Sequence, residues 1–265
     1  MPEWTDTDRM TLATAVDLLE HPGLVARLAT VVGGPLEKGF ALLPSDWRIR
    51  VAEASRTALF RALEIAVKSL GREAPASGRA DMLHRLAATA SGVAGGAFGL
   101  GALAVELPVS TTIMLRSIAA IAREQGEDLR SLHARLQCLD VFALGSGNER
   151  SDGSDGGYWA MRIALSRLTT EAATFVAERG LAEEGAPPLV RLITTVAARF
   201  GTVVSEEVAA KAIPVVGAVS GGTINYFFTD HFQKMARGHF SVRRLERRYG
   251  EENVRAKFEE ARRWG

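Results

Sequence analysis

LAATASGVAGGAFGLGALAV, residues 86–105, runs between Arg85 and Glu106 without a charge. Five of its twenty residues are glycine and seven are alanine. A membrane span needs about 20 apolar residues, so the length suffices. The small side chains, however, suit a surface against which another helix packs closely. Glycine weakens a helix by about 1 kcal/mol relative to alanine, so five in one helix need a compensating contact. Gly92 and Gly96 stand four apart, as do Gly95 and Gly99, and residues four apart share a helix face. A second apolar stretch, AIPVVGAVSGGTINYFFT at 212–229, carries a matching pair, Gly217 and Gly221. Small residues at this spacing bring helix backbones together in membranes and equally inside a soluble bundle. Two readings stay open at this point: the two segments pack on each other, or they face lipid.

The remainder of the chain also reads as helix. No run alternates Val, Ile and Thr between turn signals, so strands are not expected. Helices are expected at 7–20, up to Val32, and at 47–70, 78–105, 109–124, 128–144, 158–179, 189–210 and 231–263. In the helix from residue 47, Val51, Ala54, Ala58, Leu59, Ala62, Ile65 and Ala66 recur at three- and four-residue steps and form a core-seeking face. Pro108 is expected to break or kink the helix at Leu107. GSGNERSDGSDGG, residues 145–157, reads as a solvated loop. It lacks the Gly-Lys-Ser/Thr ending of a phosphate cradle and the alternating ligands of a calcium loop. The expected fold is all-α: one domain over residues 1–265, a bundle of about nine helices with the two glycine-rich helices close-packed at its centre.

A net charge of +1 gives no general attraction to nucleic acid, and none is expected as a partner. One cysteine, Cys138, cannot form an internal disulfide and suits a reducing compartment. The start MPEWTDTDRM lacks the basic and apolar regions of a secretory signal, so the chain is expected in the cytoplasm.

Chemistry is sparse. Glu106, Arg116, Tyr158, Arg162, Asn225, Asp230 and His231 interrupt or flank apolar stretches and form a candidate polar pocket for a small ligand or lipid headgroup. Buried charges need partners, and Glu106 with Arg116 and Asp230 with Arg162 are the expected ion pairs. His231 and His239 lie two turns apart, but neither HExxH nor paired CxxC is present, so no metal is expected. No cofactor is expected either. Neither Cys138 nor any serine has a recognisable activating base, so no catalytic residue is assigned. Arg237, Arg243, Arg244, Arg247 and Arg248 make the tail basic and are candidates for an anionic membrane surface. The competing expectation is a solvated face of ion pairs, such as Glu246 with Arg243 and Glu252 with Lys257.

Three blocks then stand in order: GVAGGAFGLGALAVELPVSTTIMLRSIAAIAREQGEDL from Gly92, CLDVFALGSG from Cys138, and IPVVGAVSGGTINYFFTDHFQKMARGHFSVRRLERRYG from Ile213. The Leu-Pro followed by Arg-Ser-Ile-x-x-Ile-Ala, and Pro-Val-Val-Gly-Ala-x-x-Gly-Gly-x-x-Asn-Tyr, resemble the EcsC protein family over about residues 80–250. That bacterial family is named for an operon that also carries an ABC transporter. The resemblance implies no activity, cofactor or catalytic residue. The combined expectation is a non-enzymatic cytoplasmic protein, peripheral on the inner membrane face, with a membrane protein such as a transporter as partner. The alternative is a soluble bundle binding a small ligand in the polar pocket.

Overall fold

A computed structural model describes residues 2–20, 23–70, 99–144, 157–180, 186–213 and 221–264. Over these the protein is all-α, with ten helices: α1 Asp6–Glu20, α2 Leu24–Val32, α3 Glu37–Leu42, α4 Trp47–Lys68, α5 Gly99–Glu124, α6 Leu132–Leu144, α7 Tyr158–Arg179, α8 Pro187–Ala212, α9 Gly221–Tyr249 and α10 Glu251–Trp264. Gly99 and Gly221 open α5 and α9. Gly92, Gly95, Gly96 and Gly217, the groove they were expected to form, and most of the 145–157 loop lie outside the described residues.

The core is organised by α6. Every residue from Leu136 to Leu144 is buried, including Gln137 and Asp140. A helix apolar on all sides belongs in an interior, and α6 is packed by α4, α5, α7, α8 and α9. On α4, Val51, Ala54, Ala58, Leu59, Ala62 and Ala66 are buried as their spacing predicts. Arg123 from α5 donates to the carbonyl of Leu70 at 2.6 Å, and Arg135 from α6 donates to that of Val67 at 2.5 Å. These arginines satisfy the carbonyls that a helix C-terminus leaves open.

Hydrogen bonds fix the direction of the central helices. Gln233–Ser117, Ser241–Gln125 and Arg243–Glu127 each join residues 116 apart. A constant offset means that α5 and α9 run parallel and in register. Lys211, at the end of α8, meets Glu106 near the start of α5, so α8 runs the other way. The Arg123–Leu70 bond places the end of α4 beside the end of α5. One end of the bundle, the entry end, therefore gathers the first turns of α4, α5 and α9 and the last turn of α8.

Two expectations are corrected. Pro108 lies inside α5 instead of ending it. Proline frees the carbonyl four residues earlier, here that of Ala104, an exposed position where water can take the missing donor's place. Thr112 Oγ1 donates to the Pro108 carbonyl at 2.8 Å. The tail is not one helix from 231: α9 starts at Gly221, and Gly250, with φ of 84°, separates it from α10. That left-handed conformation favours glycine.

The short α3 was not anticipated. It touches α8 through Gly39, where an added Cβ would lie 1.9 Å from the Ala209 carbonyl oxygen. Gly39→Ala is expected to cost about 1–3 kcal/mol and to free α3, read as a lower melting temperature with faster proteolysis between residues 36 and 46. Unchanged melting would contradict this contact.

Candidate functional site

A buried polar cluster joins α7 to α9. Tyr158 and Arg162 are one turn apart on α7, while His239 and Glu246 are two turns apart on α9, so both pairs present one face. Arg162 makes a two-pronged ion pair with Glu246, each N–O distance being 2.6 Å. Both side chains are largely buried, and the guanidinium lies 4.8 Å from the Trp159 ring centroid. Tyr158 Oη lies 3.0 Å from His239 Nδ1 and 3.5 Å from Arg162.

Proton positions follow from chemistry. Arginine only donates, so the Tyr158 oxygen accepts from Arg162, and the tautomer that satisfies both groups has the phenol donating to His239 Nδ1. His239 is then neutral with its proton on Nε2, which has no partner among the described residues. Burial, with Arg162 and Arg243 nearby, lowers the His239 pKa well below the ordinary histidine value. Burial also pushes Tyr158 up to about 12, so the phenol stays protonated. Burial weighs against the Arg162 charge, but Tyr158 and Glu246 outweigh it and hold the guanidinium charged.

Beside this cluster a cleft of about 730 Å³ opens between α6, α7 and α9, lined by Gln137, Trp159, Arg162, Thr170, Arg243 and Glu246 among others. Gln137 is only 6% exposed, and its Oε1 has no partner among the described residues. One turn along α6, Asp140 is buried with the Thr169 hydroxyl 2.9 Å from both carboxyl oxygens. Burial pushes its pKa from 3.8 up to about 7. Burial likewise raises the Cys138 thiol, whose Sγ donates to the Ala134 carbonyl, so it is no nucleophile. Among the described residues no three His, Cys, Asp or Glu side chains converge as a metal site.

The candidate pocket divides between the two ends of the bundle. Glu106 pairs with Lys211 at 3.1 Å, not with Arg116, and Lys211 also holds the buried Glu207 at 2.8 Å. Asp230 pairs with Arg27 at 2.7 Å and Lys234 at 2.8 Å, not with Arg162. Asn225 and Arg116 are half-buried on α9 and α5, and the buried His231 packs edge-on against Phe232. Of that set, Tyr158 and Arg162 meet. Asn225 and Glu246 are about 31 Å apart along α9 at a rise of 1.5 Å per residue, too far to share one site.

The basic residues are mostly engaged. Arg243 donates to Glu127 at 2.8 and 3.1 Å, Arg247 joins the same carboxylate, and Arg248 donates to Asp8 at 2.9 Å. Although burial pushes the Glu127 pKa up, these arginines outweigh it and hold the group ionised. The expected pair of Glu246 with Arg243 is thus replaced by Arg162 and Glu127, and Lys257 pairs with Glu260 rather than Glu252. Arg237 is half-buried and Arg244 exposed. Arg243 lies about 33 Å along α9 from Gly221, at the end opposite the entry end. The sequence reading passed over Gln137, Asp140, Thr169 and Glu127. Asp140 interrupts the apolar run CLDVFAL, the same signal that drew attention to Glu106.

Exposed apolar side chains gather at the entry end. Seven large ones are exposed among the described residues, and five sit there: Leu42, Ile49, Val105, Val109 and Tyr226. Ile49 is in the first turn of α4, and Leu42 lies on α3 beside the end of α8. Val105 and Tyr226 are 73% and 61% exposed. Met10 and Ile163 lie at the other end, near Asp8–Tyr249 and Arg162–Glu246. Within α5, Leu103–Glu124 is long and apolar enough to cross a bilayer, with half of its most apolar window buried in the bundle.

No curated protein and no solved structure matches the chain. Residues 31–245 match the EcsC protein family, and with that coverage the chain belongs to the EcsC family.

Proposed function

We propose that this protein is a non-enzymatic bacterial protein that docks peripherally on the cytoplasmic face of the membrane through its entry end. The supporting observation is the grouping of Leu42, Ile49, Val105, Val109 and Tyr226 where α4, α5 and α9 begin. Burying one such side chain is worth about 1.5–3 kcal/mol, so partial insertion of several suffices for reversible binding. Three of the five candidate arginines hold carboxylates within the protein, at the far end, and leave little free charge for anionic headgroups. Purified protein is expected to float with neutral and anionic liposomes alike, and 0.5 M salt, where the screening length is about 4–5 Å, should release little of it. Val105→Asp combined with Tyr226→Asp should abolish most flotation at unchanged melting temperature. A wild-type protein that stays unbound, or flotation that requires anionic lipid, would contradict the reading.

A second reading is favoured by the buried Gln137 carboxamide in the cleft between α6, α7 and α9. An unpartnered buried acceptor costs about 1–3 kcal/mol, which a small polar ligand bearing a donor offsets. Native mass spectrometry should then find a small molecule carried through purification and lost on Gln137→Leu. Identical spectra would remove this reading.

A further inference from the structure

We propose that a groove between α3, α4 and α8 binds the acyl chain of a fatty acid, with Arg48 pairing to its carboxylate. The proposal deepens the membrane reading and rests on it for the source of the ligand. The groove is an open trough of about 730 Å³, within the 300–1,000 Å³ typical of small-molecule sites. Buried Leu36, Val51 and Ala197 lie deepest in its lining, with small Ala52, Ala198 and Gly201 along α4 and α8 and the rings of Phe40 and Trp47 beside them. Small residues at a crossing leave a smooth trough, and the two aromatic rings, 5.4 Å apart, give it apolar sides.

Position and charge argue for the occupant. Phe40 and Trp47 belong to α3 and the first turn of α4, so the groove starts at the entry end beside exposed Leu42 and Ile49. It then follows α8 from Ser205 toward Ala197, along the bundle and away from that end. Arg48 is exposed at the rim, its guanidinium 5.4 Å from the Trp47 ring centroid. Glu37 and Glu206 share the rim. They disfavour a multiply charged phosphate head more strongly than a single carboxylate.

Trp47 supplies a local reporter. Monomeric 12-bromododecanoate, titrated into the full-length protein without vesicles, is expected to quench tryptophan fluorescence saturably, and Trp47→Phe should abolish the quenching. Ala52→Phe with Ala198→Phe, both exposed positions that leave the core intact, should weaken binding at least tenfold at unchanged melting temperature. Arg48→Ala should weaken dodecanoate at least fivefold and dodecanol less than twofold. Quenching that never saturates, persists in Trp47→Phe, or survives filling of the groove would overturn the proposal. Equal responses of the two amphiphiles to Arg48→Ala would overturn the role of Arg48. Since no vesicle is present, failed liposome flotation with intact dodecanoate binding would refute membrane docking alone, and the converse would refute the groove alone.

Discussion

Glu246→Ala is expected to lower the unfolding free energy by about 3–5 kcal/mol, the range for removing one partner of a buried ion pair. The size follows from what remains. Arg162 keeps its charge, sits mostly out of water on the Trp159 ring, and loses both of its 2.6 Å contacts. Tyr158 accepts only a long bond from it, and no other carboxylate pairs with it among the described residues. Arg162→Ala should cost a similar amount, because it strands the Glu246 carboxylate instead. Replacing both, Arg162→Met with Glu246→Leu, should recover all but about 1 kcal/mol, since apolar pairs of like volume often match buried ion pairs. Urea unfolding followed by tryptophan fluorescence measures all three. A single variant losing under about 1 kcal/mol would mean that the pair behaves as a surface bridge.

The second large effect is a pH dependence centred on Asp140. Its carboxyl titrates near 3.8 in an unfolded chain and near 7 when folded, because burial penalises the charge. Between those values the folded protein holds a proton that the unfolded chain has released. The contribution of this group to stability is therefore greatest at low pH and falls as pH rises toward 7 and just beyond. The full difference amounts to about 4 kcal/mol at 1.36 kcal/mol per unit. Asp140→Asn removes the titration and keeps an acceptor for the Thr169 hydroxyl. The stability of Asp140→Asn relative to wild type should rise by about 3 kcal/mol between pH 5 and pH 8. Taking the difference cancels groups of opposite sign such as Glu127, whose pKa is lowered. A difference that stays flat over this range would show that Asp140 is hydrated and ionised throughout.

Local pattern made the helices legible and left their pairing obscure. The apolar spacing of Val51, Ala54, Ala58 and Ala66 identified the buried face of α4, since a helix periodicity carries its own orientation. Pro108 misled because the cost of a helical proline depends on whether water can reach the freed carbonyl, and exposure at Ala104 is a tertiary property. Gly250 passed unnoticed because apolar residues keep helical spacing on both sides of it, from Phe232 to Tyr249 and again at Val254 and Phe258. Charge partners were the least legible. Glu246 could reach Arg243 on its own helix, but the fold brings Arg162 from α7 and sends Arg243 to Glu127 across α5 and α9. Nothing in the spacing of residues 162 and 246 encodes that contact. Tyr158 with Arg162 was visible as a pair one turn apart, whereas its partners His239 and Glu246 depend on the packing of α7 against α9. The apolar entry end was equally hidden: Leu42, Ile49, Val105, Val109 and Tyr226 are scattered in sequence and share one end of the bundle only through the relative directions of α4, α5, α8 and α9.

That gathering is the centre of the functional account, and it has a direct readout. A polarity-sensitive fluorophore can be attached to Val109→Cys at the entry end or, separately, to Ile163→Cys at the opposite end. The native Cys138 is buried and does not compete for label. On addition of neutral liposomes, the account predicts a blue shift and quenching by brominated lipid at position 109, with no change at position 163. A shift at 163 with none at 109, or the same response at both, would contradict membrane docking through the entry end.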